Sequence, residues 1–161
     1  MSAFKKFKNN LFLSLYAWSK IPLIGFCAPR VLESDGDRTV LKIPLNYRTK
    51  NHLGAMYFGA LAIGAELSIA MLAVKKIQES GERIDFLFKD FKAEFLKRAE
   101  GDVHFICEQA QVVIDQIEEA KQSTERINRT MTAYAIVPGK NPDEKVATFE
   151  LTLSVKRRVR S

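Results

Sequence analysis

The sequence predicts an α+β fold in which a curved antiparallel sheet wraps around one long central helix, with an extra amphipathic helix at the N-terminus. Residues 53–74 form a stretch of twenty-two residues with a single charge, Glu66. Most segments after this stretch have the alternating pattern of β-strands, which favours an antiparallel sheet. A helix that is apolar on all sides needs cover all round, and a curved sheet supplies it economically.

Length and composition indicate one ordinary globular domain. The chain has 161 residues, of which 47% are hydrophobic and 27% charged. A chain of this size buries enough surface to fold without a metal or a disulfide framework. We expect residues 1–29 to form the N-terminal helix and its connection, and residues 30–161 to form the main domain.

The cysteines and histidines show no metal-ligand spacing, so no metal is expected. Cys27 and Cys107 lie eighty residues apart, and the chain has only two histidines, His52 and His104. Two reduced thiols in a cytoplasmic protein are the simplest interpretation, although the sequence leaves a disulfide open. We expect both histidines to have no chemical role.

The net charge of +6 is unevenly distributed. Residues 1–50 contribute +6, residues 51–124 contribute −4 and residues 125–161 contribute +4. Such a balance suits phosphates or an anionic surface but excludes a histone-like polycation. The basic cluster at the C-terminus is interpreted as a solvated chain end, so we expect no nucleic-acid partner.

The first twenty residues have the pattern of a basic amphipathic helix that ends before Pro22. Its apolar residues recur at spacings of three and four, with lysines between them: Phe4, Phe7, Leu11, Leu15 and Trp18. Such a helix packs its apolar face on its own domain, which is the more common arrangement, or lies on a membrane surface through residues 4–20. It lacks the cleavage site of a secretory signal.

The other elements follow from periodicity and turn residues. Short strands at residues 31–34 and 39–45 precede the central helix, which we place at residues 54–77. The remaining elements are strands at residues 84–96 and 103–107, an amphipathic helix at residues 110–120, and strands at residues 130–137 and 146–155, with a turn at residues 138–144 between the last two. In residues 84–96 the apolar parity changes, and a bulge near Lys89 and Asp90 would return both sets to one face.

Glu66 is the main candidate for chemistry. The sequence has no nucleophile elbow, phosphate loop, dinucleotide-binding turn or zinc-protease motif. A carboxylate in an apolar helix is costly unless it has a partner, and burial raises its pKa. Burial alone leaves a structural and a functional role for Glu66 equally open.

A motif at the start of the central helix adds weight to a functional role. The pattern Asn51-x-x-Gly54-x-x-Tyr57-Phe58-Gly59, with Glu66 nine residues after Tyr57, resembles the signature of hotdog-fold acyl-CoA thioesterases of the phenylacetyl-CoA type. That family has histidine at the position of Tyr57 and glycine at the position of Phe58, whereas Gly59 and Glu66 match. The resemblance covers roughly residues 30–157 and is closest to a thioesterase-like branch of unknown function.

The resemblance implies a homodimer, with a dimer of dimers left open, that hydrolyses or binds acyl-CoA thioesters without a cofactor other than the coenzyme A of the substrate. Glu66 would be the general base or nucleophile, the amides of Phe58 and Gly59 would stabilise the oxyanion, and Asn51 would place water or the carbonyl. Tyr57 would occupy the position of the family histidine. The candidates for contact with the coenzyme A phosphates are Arg48, Lys50, Arg126 and Arg129.

The spacing of these residues predicts a site shared between two subunits. Gly59 and Glu66 are seven residues apart, or about 10.5 Å along a helix at 1.5 Å per residue. Both cannot touch one carbonyl from the same helix, so each subunit would supply one end. The alternative is a non-catalytic acyl-binding, lipid-binding or scaffold protein on the same fold.

Overall fold

The structure, a computed structural model, describes residues 3–34 and 36–158. The elements in chain order are α1 (Ala3–Lys20), α2 (Pro22–Phe26), β1 (Arg30–Ser34), β2 (Thr39–Ile43), α3 (Phe58–Ser80), β3 (Ile84–Phe95), β4 (Val103–Cys107), α4 (Ala110–Lys121), β5 (Ile127–Val137) and β6 (Asn141–Arg157). The predicted order of helices and strands is therefore confirmed, with one short helix added.

The strands form one curved sheet in the order β1-β2-β4-β5-β6-β3, and every neighbouring pair is antiparallel. Helix α3 packs on β2, β4 and β5 and against α4. Its buried residues Ala65, Ile69 and Leu72 join Phe105 and Phe149 of the sheet in the main core. The predicted sheet wrapped around a central helix is thus confirmed.

Helix α3 begins at Phe58, four residues later than the sequence indicated. Residues 51–57 instead form a turn, in which Gly54 adopts a φ of +79° that a residue with a side chain rarely takes. The helix ends at Ser80 because Gly81 adopts a left-handed φ of 71°, the usual helix stop. In the described residues α3 is the one helix long and apolar enough to cross a membrane, but it is the core helix of the fold.

The close approach of α3 to the sheet depends on Gly64. A Cβ atom at Gly64 would lie 2.3 Å from the ring of Phe105, far inside van der Waals contact. We therefore expect Gly64→Ala to destabilise the fold by about 1–3 kcal/mol, as overpacked cores do. Thermal unfolding checks this, with Gly139→Ala as the control because nothing lies within 4 Å of its added Cβ.

The bulge in β3 is confirmed. The register of β3 against β6 shifts by one residue between Phe88 and Phe91, so Lys89 and Asp90 together oppose the single residue Thr152. Asp90 occupies the gap in the ladder, since its Oδ1 accepts a hydrogen bond of 2.9 Å from the Thr152 N–H. The apolar residues on either side of the bulge therefore share one face of the sheet. Phe91 nevertheless stays 44% exposed because β3 is an edge strand.

The strand ends differ from the prediction. Strand β2 stops at Ile43, β5 begins at Ile127 and β6 begins at Asn141, so the turn between β5 and β6 is only residues 138–140. The segment expected to be an irregular connection contains α2. Strands β5 and β6 extend beyond the apolar alternation because backbone pairing between them continues there, whereas β2 is shorter than predicted.

The two edge strands of the sheet, β1 and β3, differ in what lies beside them. At the β1 edge the Asn10 side chain of α1 acts like a strand partner: its Oδ1 accepts from the Val31 N–H at 2.8 Å and its Nδ2 donates to the Val31 carbonyl at 3.0 Å. The outer edge of β3 has no strand beside it in the described part of the chain. The twelve-residue strand β3 therefore offers the open pairing edge.

Helix α1 packs with the opposite face from the one expected. The helix packs on its own domain, as the sequence favoured, but not through its apolar stripe, because all five residues of the stripe are exposed: Phe4, Phe7, Leu11, Leu15 and Trp18. The buried residues are Leu13 and Ala17, which join Val31, Leu41 and Leu67 in a second small core. The periodicity identified the larger apolar face of α1. The face that packs on the fold is the smaller one, because Leu13 and Ala17 fit the shallow space beside α3.

Candidate active site

The turn before α3 is organised by the Asn51 side chain. Its Oδ1 accepts hydrogen bonds from the N–H groups of Leu53 at 2.9 Å and Ala55 at 3.2 Å. The Asn51 N–H also donates to the Ala55 carbonyl at 2.7 Å. The oxygen expected to place water is therefore engaged in the turn, and the Nδ2 group is what Asn51 can offer to a ligand.

The start of α3 presents two backbone amides without backbone partners in the described structure. The first hydrogen bond of the helix runs from the Ala60 N–H to the Tyr57 carbonyl, at 2.9 Å. The amides of Phe58 and Gly59 precede it and have no backbone acceptor among the described residues. Such amides and the helix dipole favour negative charge. These two amides are the groups to which the family resemblance assigns stabilisation of the oxyanion.

Two aromatic side chains lie together at the start of α3. Tyr57 is the N-cap residue of α3, and its ring centroid lies 4.8 Å from that of Phe58. The Tyr57 ring also covers Gly59 so closely that a Cβ there would lie 2.6 Å from it. A side chain at Gly59 would therefore make the Tyr57 ring shift. Both rings are about half exposed, so they form an apolar surface at the helix start.

Asn51 and Phe58 line one cavity of about 370 Å³. Its other wall comes from the end of β3 and the segment that follows, with Phe95, Lys97 and Arg98. The cavity therefore brings the first residue of α3 together with an apolar side and a basic side.

Glu66 lines a different cavity, of about 450 Å³, between α1, α3 and the first half of β3. Its walls are almost entirely apolar, and Phe12, Tyr16, Met71, Phe86 and Phe88 are among them. Glu66 has no hydrogen-bond or ion-pair partner among the described residues. Burial raises the pKa of this carboxyl above its ordinary value because an apolar environment disfavours the charged form.

The raised pKa of Glu66 predicts a pH-dependent stability. The neutral carboxyl is compatible with its apolar cavity, so its contribution to stability is present in acid and is lost as pH rises through the raised pKa. We expect Glu66→Gln to melt at a higher temperature than wild type at neutral pH, and at nearly the same temperature in acid. Melting curves across pH check this. Glu125→Gln, at an exposed position, should differ from wild type in melting temperature by the same amount at every pH.

One chain does not bring the two halves of the proposed site together. Asn51 and Phe58 lie at one cavity and Glu66 at another. This separation is what the seven-residue spacing of Gly59 and Glu66 requires. Helix α3 and strand β3 both line the two cavities, and β3 does so at opposite ends of the strand.

The basic residues proposed for phosphate contact are scattered. Arg48 lies over the Phe26 ring at 5.6 Å, and Arg129 pairs with Glu119 at 2.8 Å. Lys50 and Arg126 are exposed and line neither cavity. The cations beside the helix start are instead Lys97 and Arg98, which sequence reasoning missed. No motif marks them, because they reach the cavity only through the fold of β3.

The cysteines and histidines lie outside both cavities. Cys27 and Cys107 are buried and unpaired, and burial raises the pKa of the Cys107 thiol to about 11. His52 is exposed, and His104 lies between Lys42 and Asp102. Within residues 3–34 and 36–158 no three His, Cys, Asp or Glu side chains are grouped for a metal ion.

Helix α1 also contributes to the candidate site, which the sequence did not indicate. Phe12 and Tyr16 form part of the wall around Glu66, although the motif resemblance began only near residue 30. Neither residue belongs to the apolar stripe of α1, so the spacing of that stripe gave no signal for them.

Comparison with solved structures identifies the fold. A protein of unknown function from Pseudomonas aeruginosa, described as a probable thioesterase, is 19% identical with a TM-score of 0.76, covering 92% of this chain and 96% of that one. A protein of unknown function from Chlorobaculum tepidum TLS is 13% identical with a TM-score of 0.79, covering 95% and 97%. A thioesterase from Pseudomonas aeruginosa, solved as a mutant, is 15% identical with a TM-score of 0.67, covering 89% and 92%.

The protein therefore has the hotdog fold of thioesterase-like proteins, as the motif around Glu66 indicated. The chain belongs to the family described as "Domain of unknown function (DUF4442)", whose model matches residues 9–155. No curated protein matches the sequence.

Proposed function

We propose that this protein is a homodimeric acyl-CoA thioesterase in which Glu66 of one subunit and the start of α3 of the other act on one thioester. The observation that carries the proposal is Glu66 itself, a carboxyl group in an apolar cavity with no partner among the described residues. A half-buried acid without a partner is costly to the fold and is typical of a functional site.

The open edge of β3 supplies the dimer contact. The β1 edge is short and is bonded by Asn10 at Val31, whereas β3 is long, has no strand on its outer side in the described part of the chain and is partly apolar on the face toward α3. A second copy that pairs with β3 through a two-fold axis is the simplest way to cover it, since isologous dimers are the most common assembly.

Antiparallel self-pairing of β3 would bring the two halves of the site together. The first half of β3, with Phe86 and Phe88, lines the Glu66 cavity, and its last residue, Phe95, lines the cavity at Phe58. In a two-fold antiparallel pair the first half of one strand faces the second half of the other. Pairing centred near the bulge therefore puts Glu66 of one subunit beside the helix start of its partner.

Glu66 is suited to act as the general base. Its raised pKa brings the carboxylate closer to the basicity at which proton transfer is efficient near neutral pH. The carboxylate would take a proton from water while the water oxygen bonds to the thioester carbonyl carbon. The carbon–sulfur bond then breaks, and the proton passes to the sulfur, so that a carboxylic acid and free coenzyme A leave.

The partner's helix start would hold the other reacting atoms. The amides of Phe58 and Gly59 would stabilise the negative charge on the carbonyl oxygen, as preorganised amides do. Arg98, beside that cavity, has the charge to meet a coenzyme A phosphate. Asn51 would contribute through Nδ2 alone.

A non-catalytic acyl-binding function is the second candidate, and one observation favours it. The Tyr57 ring lies against Gly59, whose amide an oxyanion would need, and the Phe58 ring lies beside Tyr57, whereas the thioesterase motif has histidine and glycine at these two positions. If these rings stay in place, an acyl chain binds but the carbonyl does not reach the amides.

Release of free thiol from acyl-CoA substrates of several chain lengths distinguishes the two candidates, when binding is measured in parallel by calorimetry. Thiol release by wild-type protein supports the thioesterase. Heat of binding without thiol release supports the acyl-binding protein, and the absence of both contradicts the proposal.

A further inference from the structure

The stripe of α1, meaning Phe4, Phe7, Leu11, Leu15 and Trp18, is left without cover. Their exposed fractions range from 49% for Leu11 to 79% for Phe4. On the side of α1 that packs on the fold, Leu13 and Ala17 are the buried apolar residues among those described, and Asn10 hydrogen-bonds to Val31. A continuous apolar surface of this kind marks an interaction site.

The charge around the stripe is of one sign. Residues 1–32 contain five basic residues and no acidic one, and Lys5, Lys6, Lys8 and Lys20 lie in α1 itself. A helix with an apolar stripe, aromatic residues and lysines is typical of segments that lie in the interface of an anionic bilayer. A protein partner covering the same stripe would not require a positive flank.

A basic cavity extends this positive surface on one side of the stripe. The cavity, of about 690 Å³, lies between α1 and β1, and Phe7 and Trp18 belong to both the stripe and its lining. Lys6, Arg30 and Arg48 also line it. Cations therefore flank the stripe on this side, at the depth where lipid phosphates meet an inserted aromatic side chain.

We propose that α1 docks the protein on the surface of an anionic bilayer, with its stripe inserted into the interface and the flanking lysines and arginines on the lipid phosphates. The docking is reversible, because a single amphipathic helix buries too little apolar area to anchor a protein permanently. Since Phe12 and Tyr16 of the same helix line the Glu66 cavity, docking would hold that cavity beside the lipid.

Sedimentation of the full chain with vesicles tests this inference, and its outcome does not depend on hydrolysis. We expect the protein to pellet with equimolar phosphatidylcholine and phosphatidylglycerol vesicles, but much less with phosphatidylcholine alone or at high salt. Trp18 is the one tryptophan of the sequence, so its fluorescence should shift to the blue on binding.

A double variant of the stripe, Leu11→Ser with Leu15→Ser, should weaken vesicle binding roughly tenfold or more because both side chains leave the interface. The matched control is Tyr47→Ser with Leu53→Ser, two exposed apolar positions outside α1, which should bind as wild type does. Lys6→Gln with Lys8→Gln should weaken binding to the anionic vesicles only.

Equal pelleting of the stripe variant and the control, or no pelleting of wild type with anionic vesicles, would overturn the inference. So would a fall in oligomeric mass on substitution of the stripe, since the occupant would then be a second copy of the chain. Unchanged melting temperatures would show that these exposed substitutions leave the fold intact.

Discussion

Replacing Glu66 by glutamine is expected to lower the rate of acyl-CoA hydrolysis roughly a hundredfold to ten-thousandfold, the usual contribution of a general base. Glutamine keeps the size of the side chain but cannot accept the proton of the attacking water. The wild-type rate should rise with pH through the pKa of Glu66, which burial raises above the ordinary 4.5. Steady-state thiol release across pH measures both effects.

The matched control is Glu79→Gln, near the end of the same helix, where the carboxylate pairs with Lys76 at 3.2 Å. This variant should keep the wild-type rate and pH profile. Similar rates for wild type and Glu66→Gln would contradict the proposed mechanism. Unchanged binding of acyl-CoA by Glu66→Gln would show that the loss is in the chemical step rather than in substrate affinity.

Placing a charge at the centre of the β3 edge is expected to separate the dimer. In a two-fold pairing centred near the bulge, Phe91 of one subunit lies close to Phe91 of the other. Phe91→Glu would set like charges across that contact, which destabilises strand pairing. We expect light scattering to give the mass of a monomer, and hydrolysis to fall at least about tenfold, because each site needs both subunits.

The control for this variant is Tyr47→Glu, an exposed aromatic residue outside the edge, which should remain dimeric and active. Because the Phe91 ring also packs on Phe149 at 6.0 Å, the circular dichroism spectrum of Phe91→Glu should be compared with that of wild type. A folded, monomeric and fully active Phe91→Glu protein would contradict the shared site.

The fold was predictable from sequence because its strongest signals are local and consistent with one another. A helix as apolar as α3 can be covered in few ways, and a curved sheet is one of them. The change in the apolar alternation of β3 across Lys89 and Asp90 indicated the bulge directly. The start of α3 was misplaced because Gly54 and Ala55 fit a helix as well as a turn. The hydrogen bonds of Asn51, the positive φ of Gly54 and the bridge between Lys50 and Met56 decide in favour of the turn.

The site was predictable in part, through the motif and the spacing of Gly59 and Glu66. The contributions of α1 and of Arg98 were not, since they depend on which elements lie side by side in the fold. The orientation of α1 was misjudged because hydrophobic spacing shows that a helix has an apolar face but not what covers it. In this protein the larger apolar face points outward.

The measurement that tests the shared site most directly is complementation between two inactive variants. Glu66→Gln removes the base, and Phe58→Pro removes an oxyanion N–H at the first position of α3, where proline is compatible with a helix. Phe58→Ala, which loses the ring but keeps the N–H, controls for the side chain. Each variant is prepared alone, and the two are then unfolded and refolded together in equal amounts.

A site built from two subunits predicts that the mixture regains about a quarter of the wild-type rate per dimer, since half of the dimers are mixed and each holds one intact site. In that intact site Glu66 comes from one subunit and the Phe58 amide from the other. If the site lay within a single chain, every subunit in the mixture would be defective. A mixture as inactive as its separate components would therefore contradict the account.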